Sequence, residues 1–263
     1  MRPGSSLLID FLTCLRFATR LPVPAPPLET GPHSFEGFAR AAGALPLVGA
    51  ILGAVAACAL FAAAALGLPP LLAAPLAIAV LIALTGALHE DGLADCADGF
   101  GGGATTARKL EIMKDSRIGA FGALALTMAL YLRIAALALI GAQSLTLAGA
   151  VLVGAAAASR GAALIPLVLL PPARAEGAGF AAARPGRRAL FAAAWLCAVF
   201  TAAPLLAGSG LAKPVIAFGA CVGAGIALSA LARRQIGGQT GDVAGAVQQV
   251  AEILFYLVFA ARL

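Results

Sequence analysis

What this sequence has least of is charge. Asp, Glu, Lys and Arg make up 11 % of its 263 residues while 61 % are hydrophobic, against about 25 % charged in an ordinary soluble domain. That excludes a water-soluble globular protein. Apolar runs of roughly 20 residues, the length needed to cross a bilayer, recur along most of the chain, so the sequence reads as one polytopic membrane bundle. Cysteine is sparse and unpatterned. The five (Cys14, Cys58, Cys96, Cys197 and Cys221) show neither pairing nor zinc-ligand spacing, and no disulfide framework is expected. The net charge of +6 would suit nucleic acid, but Lys and Arg sit in short loops beside apolar runs and are not interleaved with aromatics. Topology explains them better. No internal repeat of the kind that marks many transporters is visible.

The amino-terminal stretch SSLLIDFLTCLRFATRLPVPAPP is too short to span, is broken by Asp10, and has Arg16 and Arg20 after its apolar run rather than before it. Without a small-residue cleavage site it is not expected to act as a signal peptide. An amphipathic interfacial helix within residues 1–40 is expected, ended by Pro22, Pro24, Pro26 and Pro27. Seven spans are predicted at about 42–66, 71–88, 118–141, 145–170, 189–207, 213–232 and 243–262. The fold class expected is therefore all-α, a polytopic membrane bundle of about seven helices with an amphipathic amino-terminal helix. Arg16, Arg20 and Arg40, then Arg108, Lys109, Lys114 and Arg117, then Arg174, Arg184, Arg187 and Arg188, then Arg233 and Arg234 fall in alternate connections. The connections near Leu68, Gln143 and Ser209 are almost uncharged, with Lys213 the exception. Positive loops stay cytoplasmic, so the amino end, the segment 89–117 and the Gly-rich loop 233–242 are expected on that face. The Ala- and Gly-rich run AAGALPLVGAILGAVAACAL suits close helix approach; a merely alanine-rich composition is the plainer reading.

Six of the twelve acidic residues (Glu90, Asp91, Asp95, Asp98, Glu111 and Asp115) crowd into the stretch from His89 to Gly122. Asp91, Asp95 and Asp98 stand at i, i+4 and i+7, so a helix here aligns three carboxylates on one stripe. They repel one another without a counter-ion. A hard divalent cation resolves this, Mg²⁺ taking one or two carboxylates with waters and substrate phosphates. The plain alternative is a solvated acidic loop, against which Leu93, Ala94 and Ala97 speak. Gly99, Gly101, Gly102 and Gly103 end that helix. ARKLEIMKDSRIGAFG then places Glu111 and Asp115 on a second short helix among Arg108, Lys109, Lys114 and Arg117. Such a pairing suits a metal-bound diphosphate, the cation neutralising part of its charge and Arg or Lys contacting other oxygens. Surface salt bridges are the plainer reading of those basic residues. His89 is a candidate ligand or base, beside the ordinary structural role of a lone histidine. Arg133 and Arg160 fall within spanning runs, where charge is costly and faces the bundle interior or a polar cavity. Arg160 reads as an anion contact and Arg133 as snorkelling or paired with an acid. The loop carrying Gln239, Thr240 and Asp242 opens the last span, where free N–H groups favour an anion. Asp242 reads equally as a helix N-cap or a metal ligand.

Four stretches, FLTCLRFATRLPVP, ARAAGALPLVGAILGA, TGALHEDGLADCADGFGGG with RKLEIMKDSRIGAFG, and IGGQTGDVAGAVQQ, carry a resemblance across nearly the whole chain. Together they resemble the adenosylcobinamide-GDP ribazoletransferases, or cobalamin synthases. The resemblance implies a Mg²⁺-dependent inner-membrane enzyme, one catalytic domain over 1–263, that joins α-ribazole or its 5′-phosphate to adenosylcobinamide-GDP and releases GMP. Its partners would be these two substrates and the lipid bilayer, with no nucleic acid and a homo-oligomer left open. On this reading Asp91, Asp95 and Asp98, joined by Asp115 and Asp242, hold metal, and one of these carboxylates or Glu90 or His89 takes the hydroxyl proton. Arg108, Lys109, Lys114, Arg117, Arg160, Gln239 and Thr240 are the expected substrate contacts. A CDP-alcohol phosphotransferase is the nearest alternative, but Asp95 and Asp98 followed by Gly99 reproduce only the start of D-x-x-D-G-x-x-A-R. A cation-coupled transporter fits less well, since the acids cluster at the mouth of the bundle and not in mid-span.

Overall fold

The structure is a computed structural model and describes residues 7–24, 37–175, 182 and 184–262. Its helices are α1 (Leu7–Ala18), α2 (Phe38–Ala41), α3 (Leu45–Ala65), α4 (Pro70–Thr85), α5 (Leu88–Gly102) and α6 (Thr106–Ile112). They continue with α7 (Ala120–Gln143), α8 (Leu145–Ala162), α9 (Ile165–Leu169), α10 (Arg187–Thr201), α11 (Ala212–Ile236) and α12 (Gly241–Ala260). The helical bundle expected from hydropathy is what forms. Among the described residues, six helical stretches are long and apolar enough to cross a membrane: Phe38–Ala65, Ala120–Gln143, Leu145–Leu169, Arg187–Ala207, Ala212–Ile236 and Gly241–Ala260.

The expected second span, 71–88, behaves differently. α4 has only 16 residues and reaches spanning length only together with α5, which turns away from it by 88°. The elbow is made by two successive left-handed residues, Gly86 at φ 64° and Ala87 at φ 59°. Glycine adopts that conformation freely, whereas an alanine there carries about 1–2 kcal/mol of strain. The acidic helix α5 is thus set across the line of α4 and lies outside the six spans.

The core is built from close backbone contacts. α3 packs along α8, and a Cβ on Gly53 would meet the Leu152 carbonyl oxygen at 2.5 Å. Alanine and glycine at such faces let van der Waals packing act over the whole contact, which matters in lipid, where no hydrophobic force drives helices together. α1 buries Cys14 and Ala18 and leaves Leu7 and Leu8 exposed. Asp10 of α1 pairs with Arg40 of α2 at 2.9 Å. Pro26, Pro27 and the rest of 25–36 in the expected interfacial segment lie outside the described residues. Lys213, the exception among the uncharged connections, donates to the carbonyl oxygens of Phe259 and Ala261 at 3.2 and 2.9 Å. It supplies donors to the terminal carbonyls of α12.

Candidate functional site

The site forms where α5 crosses the first turn of α12. Gly92 makes the crossing: a Cβ there would lie 2.9 Å from the Asp242 carbonyl oxygen and 3.0 Å from its Cα. About one turn further along, the backbone of His89 faces Gly245 in the same way. This approach brings Asp242 into the electrostatic field of Asp91 and Asp95, residues that the chain separates by about 150 positions. Burial pushes the Asp95 carboxyl up to about 7, and the neighbouring charges of Asp242, Asp91 and Asp98 act in the same direction against Arg174. Asp91 is exposed and Asp95 half-buried.

The third carboxylate of the stripe is used otherwise. Asp98 is 8 % exposed, and its two oxygens accept from Gly119 N at 2.7 Å and Gly122 N at 2.8 Å. These amides open α7, whose first turn has no intrahelical partners for them. Asp98 therefore joins the carboxyl end of α5 to the amino end of α7. Asp242 has the opposite history. Thr240 is the N-cap of α12, accepting from Val243 N at 3.3 Å, so Asp242 is not the cap. It accepts instead from the Thr240 hydroxyl at 3.1 Å and lies 3.7 Å from Arg174 Nη2.

Arg174 is the site residue that sequence reasoning misses, because topology alone accounts for its charge. A short parallel bridge carries it in: Ala173 N donates to Gln239 O at 2.8 Å and Gln239 N to Pro171 O at 2.9 Å. Its Nη2 also donates to the Leu110 carbonyl of α6 at 3.2 Å, and its buried Nε has no hydrogen-bond partner. No spacing rule in the sequence links position 174 to 242.

The remaining expected site residues are dispersed. Asp115 pairs with Arg117 at 2.7 Å, and that guanidinium holds its carboxyl down at about 2. Arg108 pairs with Glu111 at 2.8 Å, Lys109 donates to Gln235 of α11, and Lys114 is exposed. Gln239 and Thr240 are buried beside Asp242. His89 and Glu90 point inward, 8 % and 7 % exposed. Glu90 accepts from Arg133 at 2.7 Å, inside the bundle. Arg160 is 3 % exposed and donates to the Ala156 carbonyl of its own helix at 3.0 Å.

Among the described residues no three His, Cys, Asp or Glu side chains are gathered into a cage for a metal ion. The donor set fits a cation that does not need one. Mg²⁺ keeps several waters and binds through one or two carboxylates plus substrate phosphates, and Asp95 beside Asp242 offers hard oxygens whose mutual repulsion a cation would relieve.

A family profile described as cobalamin-5-phosphate synthase matches residues 10–260. A protein of Azorhizobium caulinodans named adenosylcobinamide-GDP ribazoletransferase is 49 % identical over 253 residues, covering 96 % of each chain. Proteins of the same name from Xanthobacter autotrophicus and Bradyrhizobium diazoefficiens are 47 % and 43 % identical, covering 94 % of each chain in the first case and 99 % of this chain and 98 % of the relative in the second. No solved structure matches. A match that runs through nearly the whole bundle, at these identities, leaves one conclusion: the chain belongs to the cobalamin-5-phosphate synthase family.

Proposed function

We propose that this membrane protein transfers α-ribazole, or its 5′-phosphate, onto adenosylcobinamide-GDP with release of GMP, at the face of the membrane where α5 meets α12, and that this face is the cytoplasmic side of the inner membrane. The observation that carries the reading is the convergence of Asp91, Asp95 and Asp242 at one helix crossing in a chain related along its whole length to ribazoletransferases. The cytoplasmic orientation rests on the positive charge of the connections at that end.

The chemistry is a phosphoryl transfer. A ribose hydroxyl of α-ribazole attacks the phosphorus on the cobinamide side of the diphosphate. The new P–O bond forms as the P–O–P link breaks, and the electron pair leaves on GMP. Positioning and charge neutralisation supply most of the catalysis in such a step. Mg²⁺ held by Asp95 and Asp242, with Asp91 beside them, would supply neutralisation of the diphosphate charge. Arg174, whose Nε has no partner, binds a phosphate oxygen as a charge-assisted donor. The exposed Asp91 accepts the hydroxyl proton. Asp98, bonded to two amides of α7, orients α5 instead of touching substrate.

The test is direct. Protein reconstituted in liposomes is given adenosylcobinamide-GDP, α-ribazole and Mg²⁺, and cobalamin and GMP are sought by mass. Product that disappears with a chelator is the expected result, and no product from authentic substrates refutes the proposal.

A further inference from the structure

The polar centre of the bundle lies inward of the crossing of α5 and α12 and is built into the same two helices. Arg133 of α7 is 1 % exposed. Its Nη1 donates to Glu90 Oε1 of α5 at 2.7 Å and to Gln249 Oε1 of α12 at 3.0 Å, and its Nη2 to Glu252 Oε1 of α12 at 2.8 Å. The far side of Glu252 accepts from Gln248 Nε2 at 2.6 Å, which also reaches Ser159 of α8 at 3.0 Å. One guanidinium fork thus grips α5 and α12 together and is braced by α8.

The α5–α12 contact needs such a grip. Gly92 against Asp242 and His89 against Gly245 run antiparallel in backbone contact, flanked by Leu93 and Cys96 of α5 and Val243 and Ala246 of α12 in one small apolar cluster. Glycine faces and a few small apolar side chains allow close approach but give little directional resistance to sliding, and a slip of one turn is about 5.4 Å. That is enough to separate Asp95 from Asp242. A planar fork bound to fixed carboxylates in a dry interior has one geometry, and buried ionic groups are best attested as devices that fix register.

We propose that Arg133 is a positioning residue, which by binding Glu90 and Glu252 sets the register in which Asp91 and Asp95 face Asp242. The link from this register to catalysis rests on the function proposed above; the register itself does not.

The experiment uses the full chain in liposomes, with Mn²⁺ as the probe cation followed by electron paramagnetic resonance and backbone amide exchange followed by mass spectrometry. Two variants are compared with wild type. Arg133→Lys keeps the charge and loses the fork. Arg133→Met combined with Glu90→Gln and Glu252→Gln removes every charge of the clamp together; because this also takes both nearby carboxylates from the buried Arg160, folding of the triple variant is checked first by thermal unfolding. In both, α5 amides should exchange at least tenfold faster while those of α3 and α8 are unchanged, and Mn²⁺ should bind at least tenfold more weakly. If the triple variant fails to fold, Arg133→Lys decides alone. Wild-type exchange in α5 of a folded variant overturns the proposal, because Arg133 then only neutralises buried acids. Wild-type protein that binds no Mn²⁺ overturns the metal assignment of the proposed function, while the exchange arm still tests the register.

Discussion

Several helix contacts in this bundle are made by glycines pressed against a neighbouring backbone, and two of them differ in what surrounds the glycines. Along α3, Gly49 and Gly53 face the carbonyls of Ala156 and Leu152 on α8; along α5, Gly92 faces the backbone of Asp242 on α12. The first contact is mostly apolar, with Leu52, Leu152 and Ala155 fully buried beside it and the aliphatic stem of Arg160 against Gly49. The second carries Asp91 and Asp95 on one helix and Asp242 on the other. The same device therefore serves two ends. Where only apolar groups surround the glycines, close approach gives packing energy. Where carboxylates flank them, it brings like charges together, at a cost that the rest of the fold supports.

The apolar contact is most sensitive at Gly53. A leucine there would enter the α8 backbone, an overpacking that costs about 3 kcal/mol or more, and folded protein in the membrane fraction should be lost along with all activity. Gly92→Ala is expected to act more selectively. Its Cβ meets backbone, which yields less than a side chain does, and a misplacement of about 1 Å at the site costs about 10²-fold in rate. GMP release should fall by that factor while the protein still folds and inserts, as judged by its thermal unfolding in detergent.

The acidity of Asp95 sharpens the comparison further. Its carboxyl titrates at about 7 in the folded protein and at about 4 in an unfolded chain. Between those values the folded state holds a proton that the unfolded state has released, so this group's contribution to stability is present below about pH 4 and is lost as pH rises toward 7. In metal-free buffer, the difference in unfolding midpoint between wild type and Asp95→Asn should therefore change between pH 5 and pH 8, with wild type losing ground at the higher pH. Added Mg²⁺ should stabilise wild type more at pH 8 than at pH 5. A pH-independent difference would mean that the Asp95 carboxyl is neither desolvated by burial nor crowded by Asp242 and Asp91. The smallest effect belongs to the exposed pair Asp115 and Arg117: solvent screens it, and Arg117→Ala should leave the midpoint of the same unfolding curves unchanged.

Most spans are legible in the sequence because hydropathy and length are properties of each segment alone. The Asp91, Asp95 and Asp98 stripe is legible for the same reason, since helical periodicity is local. What periodicity does not contain is the partner. Asp98 is bound by amides 21 and 24 residues downstream, so one of three equivalent-looking carboxylates becomes a link to α7. Thr240 takes the cap that Asp242 is equally suited to, leaving Asp242 to face α5. Arg174 reaches the site through a bridge between two loops, and its sequence neighbourhood holds no sign of it. Glu252 is a different case. An acid within the last span is a signal by its cost in lipid alone, and with Arg133 in another span the two opposite charges point to a buried pair through hydropathy and charge alone.

On the function proposed, Asp95, at the crossing of α5 and α12, serves the transfer reaction through its charge. The measurement that tests it most directly is GMP release from adenosylcobinamide-GDP and α-ribazole by reconstituted wild type and Asp95→Asn, each with Mg²⁺ and with a chelator. The account predicts chelator-sensitive release by wild type and a fall of about 10²- to 10³-fold in the variant, at equal membrane insertion. Release by Asp95→Asn at close to the wild-type rate would contradict it.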